Sequence, residues 1–335
     1  MNGTAGEQWE FDGYSEDGSQ FFIFGFYRDP NYNFLGTGNL RLSADFLLSD
    51  GSRYSIVEYA EESIIESCLG QGTSGTWRGD GWAYTFEVSA DMTRAKVVVD
   101  NPEAKGTIIL SSITPPRYAD ANTWPSNNAS LLTVPHFYLT EPIPVADMMI
   151  DMVIEGKTVS WTGIGGHTRL WGAFNWFTCL ASMTIIRLRT GPFALSYWDF
   201  GSNLQKGLVV PSAFLVENGD KVFGSRLMET SEAEDYLTVR KLYGGDGNTT
   251  HTLADKATGL EIEMTSPSRQ LQWRFTAKHK NVGFEYYLGE GTGGTGYVGV
   301  VTGGLAGSEQ WTGPVFTEIL KFPQKSLMLA KNYVK

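Results

Sequence analysis

The chain has 335 residues, a formal net charge of -11, and 41% hydrophobic against 19% charged residues. That balance excludes a disordered chain, and the acidic surplus excludes an electrostatic footprint for nucleic acid or an anionic membrane. Thirty-nine glycines and 13% aromatics, including 10 Trp, with few helix-length patterns predict an all-β protein.

Strand signals then follow in chain order. Phe21 to Tyr27 is an aromatic run of strand length, and Leu40 to Phe46 alternates with period two. Asp50-Gly51 supplies a tight turn into Tyr54 to Tyr59. Glu58 to Cys68 fits an amphipathic helix or strand–turn–strand, and the β surroundings favour the second. Trp82 to Val88, Ala95 to Val99 and Thr107 to Leu110 continue the rhythm of a sandwich or barrel. Ser112 to Pro135 reads as a long ordered loop. Strands resume at Met183 to Arg189, Phe193 to Trp198, Lys221 to Gly224, Tyr236 to Tyr243, Leu260 to Met264, Leu271 to Lys278 and Tyr297 to Thr302. A short helix is expected near Val315 to Leu320. The best division is into two β domains, 1–175 and 176–335.

Cys68 and Cys179 form one bridge or stay as two thiols, with thiols preferred. No apolar run reaches 18 residues, so no membrane span is expected. The residues after Met1 form no signal peptide, and the compartment stays open between cytoplasm and secretory pathway. Sequons stand at Asn2, Asn128 and Asn248, the last two being the glycosylation candidates. The four histidines form no metal-ligand pair, and neither a Gly-x-Ser-x-Gly elbow nor a Walker A loop is present. The Gly291 to Gly296 stretch precedes a strand, so it lacks the helix N-terminus a dinucleotide needs. No metal and no cofactor is expected.

The densest unusual segment is Trp161 to Trp176. Three Trp, Phe174, His167 and Arg169 lie there on a glycine-loosened backbone. Such a cluster is either an interdomain seam or the wall of an apolar pocket. Here the chain resembles the lipocalin-like Diels–Alderases of fungal natural-product pathways, which are similar to carotenoid hydratases related to hydroxyneurosporene synthase. The resemblance runs through Trp9-Glu10-Phe11-Asp12-Gly13, Gly75-Thr76-Trp77, His136-Phe137-Tyr138-Leu139 and Gly165-Gly166-His167 with Arg169, Trp171 and Trp176. It continues through Arg189-Thr190-Gly191-Pro192, Gln272-Trp273-Arg274-Phe275 and Gly294-Thr295-Gly296-Tyr297. Decalin-forming members often carry Asn where this chain has Gly294.

The resemblance implies two lipocalin-like β-barrel or β-sandwich domains with a ligand pocket between them. It also implies pericyclase chemistry on hydrophobic small molecules: polyene, tropolone or sesquiterpene. The favoured reaction is an intermolecular hetero-Diels–Alder addition of a tropolone o-quinone methide to a humulene-type alkene. Alternatives are an intramolecular decalin-forming cyclase, a hydratase or isomerase, and a non-catalytic terpenoid carrier. Cycloaddition needs orientation and polarisation of a conjugated carbonyl, with neither nucleophile nor metal. His167, Arg169 and Tyr138 are the expected donors, with His167 also a candidate general acid for water loss. Trp161, Trp171, Phe174, Trp176, Tyr197 and Trp273 are the expected walls. Trp9, Trp77 and Trp82 are assigned to the core.

Overall fold

The computed structural model describes residues 5–29, 38–244, 256–289 and 291–323. The first set of strands is β1 (Gly6–Ser15), β2 (Phe21–Arg28), β3 (Arg41–Leu47), β4 (Arg53–Tyr59), β5 (Glu62–Cys68) and β6 (Gly72–Gly79). It continues with β7 (Trp82–Val88), β8 (Arg94–Asp100), β9 (Ala104–Ser112), β10 (Arg117–Tyr118), β11 (Phe137–Ile154) and β12 (Lys157–Gly172). These make one antiparallel sheet in the order β4-β3-β2-β1-β12-β11-β9-β8-β7-β6-β5, with β10 on β11. Its two edge strands are consecutive in sequence, and Ala60 and Glu61 hydrogen-bond to Leu40 and Arg78 at the corner between them. The sheet therefore curls into a half-barrel around Trp9, Phe11, Phe26, Trp77 and Phe86.

One helical turn, α1 (Trp176–Cys179), leads into the second sheet. Its strands are β13 (Leu180–Thr190), β14 (Phe193–Ser202), β15 (Val209–Glu217), β16 (Asp220–Ser225) and β17 (Tyr236–Leu242). Then come β18 (Gly259–Ser266), β19 (Leu271–Gly289), β20 (Thr292–Leu305) and β21 (Trp311–Lys321). The order is β16-β15-β14-β13-β21-β20-β19-β18-β17. Leu237 N–H donates to the Leu227 carbonyl and Ser225 Oγ–H to that of Asp235, nearly closing the barrel beside its two edges.

The all-β expectation holds, and Glu58 to Cys68 is strand–turn–strand. The expected helix at Val315 to Leu320 is instead the heart of β21. Its continuous apolar run arises because β21 is buried on both faces, a pattern that imitates a buried helix. Both cysteines are free, Cys68 exposed and Cys179 buried. Asn128 is exposed, whereas Asn2 and Asn248 lie outside the described residues. No described helix is long and apolar enough to cross a membrane.

Strand alternation sorts the core into three parts. On β13, Ile186 and Leu188 point into the second barrel, while Ile185 and Arg187 face the first sheet. On β1, Trp9 and Phe11 point into the half-barrel, while Glu10, Asp12 and Tyr14 face the second sheet. A third apolar cluster, with Phe21, Leu170, Trp198 and Phe316, lies between the sheets.

Candidate functional site

A buried polar plug pins the two sheets together. Arg187 is ion-paired with Asp12 and, at 3.1 Å, with Glu141, and it donates to Thr168 Oγ1 at 3.2 Å and the Pro144 carbonyl at 2.6 Å. Arg117, from the 112–135 segment, pairs with Glu141 and donates to Ser212 Oγ at 2.6 Å. Glu141 also accepts from Ser196 Oγ and, at 2.9 Å, from Trp198 Nε1. Gly166 makes this possible. A Cβ there would lie 2.5 Å from the Arg187 guanidinium carbon, so the Gly-Gly-His motif is where the arginine crosses between sheets.

Beside the plug, a cavity of about 430 Å³ opens between the sheets, within the range of small-molecule sites. Phe137, Trp176, Phe177, Phe284, Tyr286 and Leu320 form apolar walls. Asn175 caps α1, accepting from Thr178 N–H at 2.8 Å, and that turn sets Trp176 edge-on to Phe137 with ring centres 4.8 Å apart. Register pairs Gly294 with Tyr286, and a Cβ at Gly294 would meet the tyrosine ring at 2.6 Å. The space that an Asn would claim is thus given to an aromatic wall.

Four carboxyl residues line this cavity, Glu10, Asp45, Glu285 and Glu318, together with Arg41. Arg187 and Arg117 pair with Asp12 and Glu141, and among the described residues no cation forms an ion pair with Glu10. Burial raises the Glu10 pKa to about 7; Arg187 lowers it, Glu141 raises it, and a 2.6 Å hydrogen bond from Gln8 lowers it. Burial first, then the charges of Glu10 and Asp45, push Glu318 well above the carboxylate range. Among the described residues Glu10 Oε1 and Glu318 Oε2 have no hydrogen-bond partner. Both shifts favour the protonated form, in which each carboxyl is an O–H donor.

The expected site residues do not converge there. Only Trp176 borders the inter-sheet cavity. His167 and Arg169 line a different cavity, inside the half-barrel, on the opposite face of β12. Arg169 lies over Trp9 and Trp171 at 5.2 and 5.1 Å, and Trp171 stacks on Tyr138 at 5.6 Å. Trp161 packs near Phe22 on the half-barrel core, and Phe174 is 38% exposed beside His136. Tyr197 and Trp273 are sealed inside the second barrel, so their assignment as walls is corrected. The neighbour of Tyr197, Trp198, is the residue that reaches the seam; one residue along a strand is the other face. Of the residues assigned to the core, Trp9 and Trp77 are buried and Trp82 is half-buried against it.

The assignment of His167 as a donor is also corrected. Its Nδ1 lies 2.8 Å from the Glu10 carbonyl, which can only accept, so the ring proton is committed there. Burial, opposed by that bond and reinforced by Arg169, lowers its pKa to about 4 and keeps the ring neutral at pH 7. Sequence reasoning missed Glu10, Glu318 and the plug. The signals were an acid between aromatics in Trp9-Glu10-Phe11 and a lone acid inside an apolar run at Glu318.

The chain matches the Diels–Alderase-like family over residues 1–323. It is 49% identical over its whole length to the Diels–Alderase cheD of Chaetomium globosum, covering 78% of that protein. The chain belongs to the Diels–Alderase-like family. As a member it is an enzyme of the Diels–Alderase class. The fold is that of CghA, crystallised with Sch210972: TM-score 0.83 at 24% identity, covering 96% of this chain and 90% of that one. It is also similar to kievitone hydratase from Nectria haematococca, with TM-score 0.57 at 12% identity over 96% and 91%. The resemblance drawn from the motifs is therefore upheld for the Diels–Alderases, and the likeness to a hydratase is one of fold.

The two shifted groups on either side of β1 have opposite linkage signs. Between pH 4.5 and about 7, Glu10 is protonated folded and ionised unfolded, so its contribution to stability falls as pH rises. Between about pH 4 and 6.5, His167 is neutral folded and charged unfolded, so its contribution rises with pH. Urea midpoints measured from about pH 5 to 6.5, inside both windows, should slope more steeply upward in Glu10→Gln than in wild type, and more steeply downward in His167→Phe. Identical slopes in all three proteins would refute both shifts.

Proposed function

We propose that the inter-sheet cavity catalyses an intramolecular [4+2] cycloaddition of an apolar polyene whose dienophile is conjugated to a carbonyl. The observation that carries this reading is the buried Glu10 carboxyl, with one unpartnered oxygen on the cavity and a pKa raised by burial toward the protonated form. Cycloaddition forms two carbon–carbon bonds, turns three π bonds into one and moves no proton, so no step calls on a cofactor. Aromatic walls hold diene and dienophile in one orientation, an effect that can contribute ~7–11 kcal/mol. The Glu10 O–H donates to the carbonyl oxygen as charge builds there, and the proton stays on Glu10 throughout.

One polar cluster anchors one carbonyl. A free hydrocarbon such as a humulene-type alkene offers the wall no group to hold, whereas a diene tethered to the anchored carbonyl is placed by its own chain. This favours a single substrate over the tropolone–humulene pair. The small molecule crystallised with CghA supports a small-molecule occupant for this fold. The test incubates purified protein with a linear polyene bearing both reacting groups and, separately, with a tropolone o-quinone methide and humulene. A single cycloadduct diastereomer, formed faster than background from the polyene alone, is expected. Turnover only of the pair would establish the intermolecular hetero-addition instead. Addition of water to an alkene would establish a hydratase, and binding without rate enhancement a carrier.

A further inference from the structure

The half-barrel holds a second cavity, of about 490 Å³, that the proposed reaction does not use. Trp9, Phe86, Val88 and Met92 line it with apolar surface, and His167, Arg169 and the plug residues Arg117 and Glu141 supply polar groups. It lies across β1 and β12 from the reaction cavity, because successive side chains of a strand point to opposite faces. Glu10 faces one side, and Trp9 and Phe11 the other.

His167 is the informative group. It is 2% exposed, its ring lies flat on Phe11 with centres 4.1 Å apart, and Nδ1 donates to the Glu10 carbonyl. Nε2 is therefore an unprotonated acceptor, and among the described residues nothing donates to it. The second barrel provides an internal comparison. There His279 lies flat on Tyr297 at 4.0 Å, and its Nδ1 is 2.9 Å from the Ala257 carbonyl. Its Nε2 is also satisfied, by Thr317 Oγ1 at 2.8 Å. The same device thus occurs twice, once closed by a threonine and once open to a cavity. In the half-barrel the Nε2 acceptor faces the cavity with no protein donor among the described residues, so a donor on a bound molecule can pair with it.

We infer that the half-barrel cavity is a second small-molecule site, selecting an apolar molecule that carries one hydrogen-bond donor for His167 Nε2. The occupant's hydroxyl or N–H takes the place that the Thr317 hydroxyl holds in the second barrel, and its apolar body fills the space between Trp9, Phe86 and Met92. Arg169, folded over Trp9, stands at the edge of the site.

The full chain is titrated calorimetrically with 2-naphthol and with 2-methoxynaphthalene, the same ring system with its donor removed. Wild type should bind the naphthol at least tenfold more tightly than the ether. His167→Phe, which keeps the flat ring on Phe11 and deletes the acceptor, should bind the two equally. Ala90→Trp, at the exposed rim, should weaken both, while Ile23→Trp, which narrows the inter-sheet cavity, should change neither. Equal affinities in wild type, or a preference that survives His167→Phe, would overturn the inference. Loss of the preference in Ile23→Trp with retention in Ala90→Trp would also overturn it, and that pair decides the matter if His167→Phe fails to fold. None of these readouts depends on turnover, so failure of the proposed cycloaddition leaves the result interpretable.

Discussion

Glu10→Ala should lower kcat by about 10²–10³-fold, the usual cost of removing one preorganised donor from a developing oxyanion. The expected loss is in kcat more than KM, because the hydrogen bond strengthens as charge moves onto the carbonyl oxygen. The pH dependence identifies the donor. The active form is the protonated acid, so wild-type kcat should hold below about pH 7 and fall as pH rises through the Glu10 pKa. Glu10→Gln keeps a donor of similar shape that does not titrate. Its rate should lie between those of wild type and Glu10→Ala, with a flat profile over the same range. Single-turnover rates and product ratios for the three proteins make the measurement. A folded Glu10→Ala enzyme with full kcat would remove Glu10 from the mechanism and pass the donor role to Glu318.

The acid was harder to see in the sequence than the fold that holds it. Strand–turn rhythm is local, and aromatic-rich alternation in stretches such as Trp82 to Val88 is enough to place strands and turns. The site is non-local. Glu10, Asp45 and Glu318 come from β1, β3 and β21, and only the strand orders within the two sheets and their packing bring them to one cavity. Trp161 to Trp176 is dense along the chain, but most of it is a single strand and its side chains disperse. Trp161, His167 and Arg169 go to the half-barrel side, Gly166 and Thr168 go to the plug, and Trp176 lies past the strand's end against the reaction cavity. Residues dense along the sequence are thus divided between the two faces of one strand. The glycines of the same motif carried meaning that aromatics obscured: Gly166 is small because Arg187 passes there.

That crossing is the point where the architecture is most vulnerable. Arg187→Met should cost about 3–5 kcal/mol, since it leaves Asp12 and Glu141 buried with one cation fewer between them. Arg187→Lys should recover little of this. A single ammonium cannot reproduce the fork that reaches Asp12, Glu141, Thr168 and the Pro144 carbonyl together. Gly166→Ala attacks the same contact from the opposite sheet without touching a charge, and its Cβ has no room beside a fully buried guanidinium. Urea midpoints at unchanged m-values report all three changes. The arginine also acts on Glu10, the proposed acid. Its charge favours ionised Glu10, so Arg187→Met, assayed where it remains folded, should move the alkaline limb of the kcat profile to higher pH. A stability loss with an unmoved limb would confine Arg187 to holding the sheets together. A moved limb would mean that the same residue fixes the two sheets and sets the pH at which the acid between them is charged.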